Sequence, residues 1–331
     1  GSAGANEPRR LIATFRSDAA ILTYVNGAEL SDYSQRGVVT PDHILWTKNR
    51  PLLVPAPEAG ALTAFTEAVD VAISEFTAAY DAYFERENAG SGEPKTRLDP
   101  IPRIVLVPGL GLFGLGANAK AANIAADIAE NTIKVISDAE AIGQFEPLGE
   151  RELFELEYWS LEQAKLAKTV ERPLARQVAV VTGGAGTIGR ACCAALKAEG
   201  AEVALLDVDE DAALEAASAI GCVGLECDVT DRASIARAFD EIAERFGGID
   251  IVVSNAGAAW QGRIGEVSDE ILRQSFELNF FAHQSVAQAA VNVMRAQGTG
   301  GALLFNVSKP VSYKHLTLPT KIVLCVWGGG G

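Results

Sequence analysis

Histidine, cysteine and long apolar runs are all scarce in this chain of 331 residues. No apolar run approaches the roughly 18 residues that span a bilayer, so a membrane-crossing protein is not expected. No leader is visible either, since Arg9 and Arg10 precede only the short run LIATF. None of the cysteines (Cys192, Cys193, Cys222, Cys227, Cys325) stands at C-x-x-C spacing, which argues against a thiolate metal site. Cys192 and Cys193 read as small core residues on a helix. The cysteine usage points to a reducing cytoplasm without disulfides. His43 is the only histidine before residue 283, and one imidazole cannot hold a zinc ion. Basic residues are outnumbered 28 to 43, giving a net charge of −15. So acidic a surface argues against nucleic acid or an anionic membrane as partner and leaves a small-molecule substrate as the expectation. No internal repeat is present.

What is there suffices for about two domains, with 48% hydrophobic residues to fill their cores. Residues 62–86 carry apolar side chains at helical spacing, and the polar, breaker-rich stretch 87–99 reads as an exposed loop. RIVLVPGLGLFGLG (103–116) reads as strand, tight turn and strand; helices are expected over 119–142 and 157–167. From 174 onward strand and helix alternate. Strands are expected at 177–182, 202–207, 223–226, 250–254 and 302–307, and helices at 188–199, 210–219, 231–246 and 268–297. This alternation predicts an α/β fold, a doubly wound parallel sheet of Rossmann type with helices on both faces.

Chemistry-bearing motifs follow in order. VAVVTGGAGTIGRA (178–191) takes a strand through a glycine-rich turn into a helix, an arrangement that seats a pyrophosphate on the helix N-terminus. Asp207 ends the second strand, 24 residues past Gly183, where a carboxylate accepts both ribose hydroxyls of NAD and repels the 2′-phosphate of NADP. The plainer reading of Asp207 is a helix N-cap. CDVTD (227–231) sets Asp228 and Val229 beside the expected adenine, with Asp231 as the cap of the next helix. SNAG (254–257) offers small residues to a passing cofactor, and SFELNFFAH (275–283) places Asn279 inside a long apolar helix, where a polar residue needs a reason.

Together these motifs resemble the short-chain dehydrogenase/reductase family. The family's TGxxxGxG matches Thr182, Gly183 and Gly189, with Thr187 in place of the middle glycine and Gly186 one position earlier; Ile188 lies between. The family's NNAG is SNAG here, so Asn255, Ala256 and Gly257 are expected at the cofactor. The resemblance implies that Asn279 is the catalytic asparagine holding a water of the proton relay. It implies that Ser308, in LLFNVSK, polarises the substrate carbonyl. The family's Tyr-x-x-x-Lys is absent: Tyr313 is the only downstream tyrosine, and four residues on stands Thr317.

RGVVTPDHILWTK (36–48), RIVLVPGLGLFGLG, AADIAENTIKVISDAEAIGQFEPL (125–148) and LEYWSLEQAKL (156–166) are similar to the long bifunctional rhamnulose-1-phosphate aldolase/short-chain alcohol dehydrogenases. In these a class II aldolase/adducin-like domain precedes the dehydrogenase. The resemblance implies that 1–170 is the C-terminal part of the aldolase domain and 171–310 the N-terminal part of the dehydrogenase domain. It implies zinc in the intact aldolase domain, with His43 as one ligand and an HxH pair upstream of residue 1, and a homo-oligomeric parent. The implied activities are retro-aldol cleavage of rhamnulose 1-phosphate and NAD-dependent oxidoreduction of lactaldehyde or a similar small carbonyl. The rivals are a single-function dehydrogenase with a non-catalytic N-terminal interaction domain and, for these 331 residues, a non-catalytic nucleotide-binding fragment. Residues 311–331 resemble a conceptual translation of sequencing-adapter sequence and are expected to continue no element of the fold. The other reading of that tail is a short natural strand with a flexible glycine end.

Overall fold

The computed structural model describes residues 10–160, 171–260, 266–307 and 321–327, the last strand by its backbone alone. The chain divides into two units, 13–170 and 171–331, the second joined by the residues up to Ile12.

In the first unit, the expected strand–turn–strand is β3 (Ile104–Val107) and β4 (Gly111–Gly116), paired antiparallel. Two short strands not anticipated complete the sheet: β1 (Ile12–Arg16) and β2 (Leu52–Leu53), in the order β1-β4-β3-β2. Between them lie the short helices α1 (Ala19–Val25), α2 (Leu30–Tyr33) and α3 (Ile44–Thr47). Helix α4 (Leu62–Ala89) runs three residues into the expected loop. Glu87 to Ala89 tolerate a helix, and Gly90 ends it, while Asn88 Oδ1 accepts from the Lys95 N–H at 2.9 Å to turn the chain. Helix α5 (Ala119–Ile142) begins at Asn118, whose side chain accepts from Ala121 N–H at 2.8 Å. Its alanine and isoleucine face, Ala122 to Ile136, is buried in a core with Ile21, Val25, Ile104, Leu106 and Leu112. The next helix, α6, spans Glu150–Glu157 and ends where the sequence suggested a start. Leu153, Phe154 and Glu157 are its buried face, and Glu150 and Glu152 favour its N-terminus. Of the expected 157–167 helix, 161–167 lies outside the described residues.

The second unit holds a six-stranded sheet in the order β10-β9-β8-β5-β6-β7. The strands are β5 (Val178–Thr182), β6 (Glu202–Asp207), β7 (Val223–Glu226), β8 (Ile251–Ser254), β9 (Gly301–Val307) and β10 (Lys321–Trp327). β5 to β9 are parallel, as expected, with Val180 opposite both Ala204 and Val252. Every residue of β5 is buried, as a central strand of a two-sided sheet requires. The helices are α7 (Thr187–Ala198), α8 (Glu210–Ile220), α9 (Arg232–Phe246), α10 (Asp269–Phe276) and α11 (Ala282–Gln297). Strand order reverses between β5 and β8, which opens a crevice at their carboxyl ends.

Two expectations need correction here. The helix expected over 268–297 is interrupted by a π-helical turn, Glu277–Phe281, that joins α10 to α11. The tail was expected to continue no element; instead its β-prone segment forms β10, which pairs antiparallel with the whole of β9, Lys321 opposite Val307 and Trp327 opposite Gly301. An unpaired strand edge offers a row of free N–H and C=O groups, and a β-prone segment such as KIVLCVW satisfies them. Cys192, Cys193, Cys222 and Cys227 are free thiols. Burial pushes Cys193 up to about 12, which keeps it protonated and inert.

Candidate functional site

The carboxyl ends of β5, β6, β7 and β8 bring together residues far apart in the chain. Gly183 follows β5 with φ of +60°, and a Cβ there would stand 2.8 Å from Ala256 Cα, so a side chain is excluded by strain and by space. Gly189, buried in the first turn of α7, lets the helix close on the turn: a Cβ would lie 2.2 Å from Gly183 O. Gly186 has an ordinary extended backbone, φ −71° and ψ 165°, and is the N-cap of α7. Thr187 and Ile188 open the helix on its exposed side, with Ile188 57% exposed. The departure from the family pattern thus adds a threonine side chain at the helix N-terminus, and leaves the turn intact.

Asp207, at the last position of β6, is half-buried. Its Oδ2 accepts from Ala185 N–H at 3.0 Å, tying strand end to glycine turn. The N-cap of α8 is Asp209, which accepts from Ala212 N–H at 3.0 Å, so the plainer reading of Asp207 as a cap does not hold. Asp228 Oδ1 accepts from both the N–H and the hydroxyl of Thr230, at 2.8 and 2.7 Å, shaping the turn that holds Val229, itself buried. Asp231 caps α9 as expected, accepting from Ala233 and Ser234.

Beyond β8, the Asn255 and Ala256 N–H groups both donate to Thr182 Oγ1, at 2.9 and 3.1 Å. Asn255 Nδ2 donates to Thr182 O and Gly183 O at 3.0 and 3.2 Å, and its Oδ1 accepts from Asn306 Nδ2 at 2.7 Å. Thr182 and Asn255 thus lock three strand ends into one rim. Asn279 sits in the middle of the π-helical turn. Its Nδ2 donates to Ala258 O at 2.8 Å and its Oδ1 accepts from Ala258 N–H at 3.1 Å. The amide bonds both the N–H and the C=O of one residue, Ala258, and Gly257 leaves the room: a Cβ there would be 3.0 Å from Asn279 Oδ1. That clamp is the reason a polar residue sits in this helix. Such π-turns are frequent at functional sites. Ser308, Tyr313 and Thr317 lie outside the described residues.

Comparison with known families decides the assignment. Residues 1–166 match the family model "Aldolase class II, second domain", and residues 177–314 match "short chain dehydrogenase". The chain belongs to the class II aldolase second-domain family, with a short-chain dehydrogenase domain behind it. It is 31% identical to "Uncharacterized oxidoreductase YuxG" of Bacillus subtilis (strain 168), over 98% of this chain and 50% of that protein. It is 36% identical to "Galactitol 2-dehydrogenase" of Agrobacterium fabrum (strain C58 / ATCC 33970), over 40% and 52%. It is 38% identical to "Sorbitol dehydrogenase" of Cereibacter sphaeroides, over 39% and 51%. The chain spans about half the length of these relatives.

For the dehydrogenase domain a dinucleotide fits the residues present. A turn closed to side chains at Gly183, a helix N-terminus facing outward at Thr187 and Ile188, and a half-exposed carboxylate at Asp207 line one rim. In the aldolase domain, His43 sits in a short 3₁₀ turn, Pro41–His43. Its Nδ1 is buried without a hydrogen bond, and burial lowers its pKa, with Asp42 opposing. A bare nitrogen suits a metal, but among the described residues no three His, Cys, Asp or Glu side chains gather to hold one. His43 alone does not fit zinc, and no step is assigned to a metal here.

One constellation escaped the sequence entirely. Lys48 has a positive φ of 63° and a buried side chain. Its Nζ donates to Tyr80 OH at 3.1 Å and to Glu157 Oε1 at 3.2 Å. Tyr80 OH also donates to Glu157 Oε1 at 2.9 Å and meets Tyr158 OH at 2.7 Å. Burial pulls the Lys48 ammonium down from its ordinary value, while Glu157 opposes that shift.

Proposed function

We propose that residues 171–310 bind NAD(H) in preference to NADP(H). In the longer protein they would transfer hydride between NAD and a small carbonyl, lactaldehyde or a related hydroxy-aldehyde. Residues 1–170 would be the C-terminal part of an aldolase domain that, completed by ligands outside this chain, cleaves rhamnulose 1-phosphate. The setting would be the cytoplasm and the intact enzyme a homo-oligomer.

The observation that carries the coenzyme reading is Asp207, a carboxylate at the end of β6 bonded to the N–H of Ala185 in the glycine turn. A carboxylate so placed accepts ribose hydroxyls and repels a 2′-phosphate. NAD, when bound, supplies the hydride acceptor. The chain's own residues do the rest. The Gly183 turn lets backbone N–H groups approach the pyrophosphate, and Val229 covers the adenine side. Asn279 fixes the segment after Gly257 against the nicotinamide half, and Ser308 polarises the substrate carbonyl. No Tyr-x-x-x-Lys follows Ser308 in these 331 residues, so no proton donor of suitable acidity accompanies it. The chain as it stands binds coenzyme without turning over. The polyols in the names of two relatives favour a small polyhydroxylated substrate class.

Titration of the purified chain with NADH and NADPH, followed by coenzyme fluorescence, tests this. Tighter binding of NADH is expected; equal or tighter binding of NADPH would refute it.

A further inference from the structure

Ser254, the last residue of β8, is 2% exposed, and its hydroxyl lies 2.6 Å from Nδ1 of His283, which is 8% exposed. His283 stands in the first turn of α11, one helical turn past Asn279. Its ring meets Phe305 edge-on, centroids 6.2 Å apart, and Phe305 is the cross-strand partner of Ser254. Burial pulls the imidazole pKa down, which favours the neutral ring, and the tautomer decides whether Nδ1 or the serine hydroxyl donates.

This pair and the Asn279 clamp form two rungs of a ladder. One rung joins Ser254 to His283 and the other joins Ala258 to Asn279. The strand extension runs 254 to 258 while the helix runs 283 to 279, in opposite directions. Between the rungs on one side lie Asn255, Ala256 and Gly257, the coenzyme rim. Between them on the other lies the second half of the π-turn. Thr182 ties the near end of that rim to β5, and Gln297 at the far end of α11 bonds the N–H and O of Ile249 at 2.7 and 3.0 Å. The Ser254–His283 bond is the side-chain link between β8 and α11 next to the π-turn, and it gives the rim and the π-turn a common reference.

We propose that Ser254 and His283 are positioning residues, which through this hydrogen bond hold the 255–257 coenzyme rim and the π-turn of Asn279 in register. The inference rests on the coenzyme-binding reading above. The pair touches neither coenzyme nor substrate; it acts through the segment it suspends.

The test uses the whole chain, NADH fluorescence titration and thermal unfolding by circular dichroism. In His283→Asn a side-chain amide atom occupies the position of Nδ1, within reach of Ser254. In His283→Gln the amide is one bond too far out. Both lose the ring contact with Phe305 equally. Ser254→Ala removes the hydroxyl at nearly constant volume. Ser254→Ala and His283→Gln should weaken NADH binding by about fivefold to tenfold, the effect of one buried hydrogen bond, while His283→Asn stays within about twofold of the parent. A purely structural histidine would make the two amides equally weak. Equal weakening by Asn and Gln, or parental affinity in Ser254→Ala, overturns the proposal. Should His283→Gln fail to fold, Ser254→Ala decides. A parent chain that binds no NADH overturns the coenzyme reading itself, whereas a parent that binds and variants that match it overturn only this inference.

Discussion

Replacing Asp207 by asparagine separates the two things its carboxylate does. The residue accepts from Ala185 N–H at 3.0 Å, a bond within the turn, and in the proposed coenzyme complex it would present its carboxylate to the ribose. Asparagine keeps an oxygen for Ala185 and discards the charge. For NADH the loss is that of a charge-assisted hydrogen bond becoming a neutral one, about 1.5 kcal/mol, or roughly tenfold in affinity. For NADPH the change has the opposite sign. Two unit charges about 4 Å apart repel by about 1 kcal/mol in water and about 4 kcal/mol near a protein surface. Asp207 is only half-buried, so the lower part of that range applies, and NADPH should gain roughly tenfold. The ratio of the two dissociation constants should therefore move by on the order of a hundredfold. Asp207→Ala also cuts the tie to the glycine turn, and should weaken both coenzymes below the asparagine variant. Fluorescence titrations of the parent and both variants supply all six constants. A ratio for Asp207→Asn within about twofold of the parent would refute the electrostatic argument.

The remaining predictions concern catalysis and the aldolase half. The purified chain should produce no NADH from lactaldehyde or a polyol above background, because Ser308 has no tyrosine–lysine partner; measurable turnover would show that another group donates the proton. Lys48→Met should destabilise the first unit by about 3–5 kcal/mol in urea titrations, since it removes the cation that faces the buried Glu157 carboxylate, and Lys48→Met with Glu157→Leu should recover most of that loss. A single variant as stable as the parent would mean that water reaches the pair. Stability should also fall above about pH 10. Burial raises the pKa values of Tyr80, Tyr83 and Tyr158, so the folded state keeps protons that the unfolded state loses, and stability present below the unfolded value is lost as pH rises through it. Lys48 has a lowered folded pKa and acts in the other sense, since its penalty eases as pH approaches the ordinary lysine value. Absorbance of tyrosinate near the ultraviolet edge, measured with the unfolding curve, checks this; tyrosines that ionise while the protein remains folded would contradict it.

The parts of this protein that could be read in advance are those written in consecutive residues. The strand–turn–helix of 178–191 is legible because Gly183 and Gly189 answer to a local backbone geometry and a local close approach. Asp231 is legible as a cap because its partners are two and three residues away. Asp207 had two local readings, and only the position of Asp209 at the true cap separated them. Helix α6 was not anticipated, because its buried face is chosen by partners distant in sequence: Phe154 and Glu157 meet residues of α4, and Leu153 packs with Val38 and Ile44.

The π-turn at Asn279 could not be read, and the partner of the Asn279 amide stands 21 residues away at Ala258. The Ser254–His283 rung spans 29 residues, and the Lys48–Glu157 pair spans 109. By itself the sequence determined the α/β class, the parallel order of β5 to β9 and the glycine turn, since hydrophobic periodicity and backbone strain act over a few residues. Tertiary structure alone decided how Asn279 spends its amide, which charge Lys48 meets and what covers β9. Those are pairings of buried polar groups or strand edges, and a buried donor or acceptor is satisfied by whichever partner the packed chain brings within 3 Å or so, not by its neighbours in sequence.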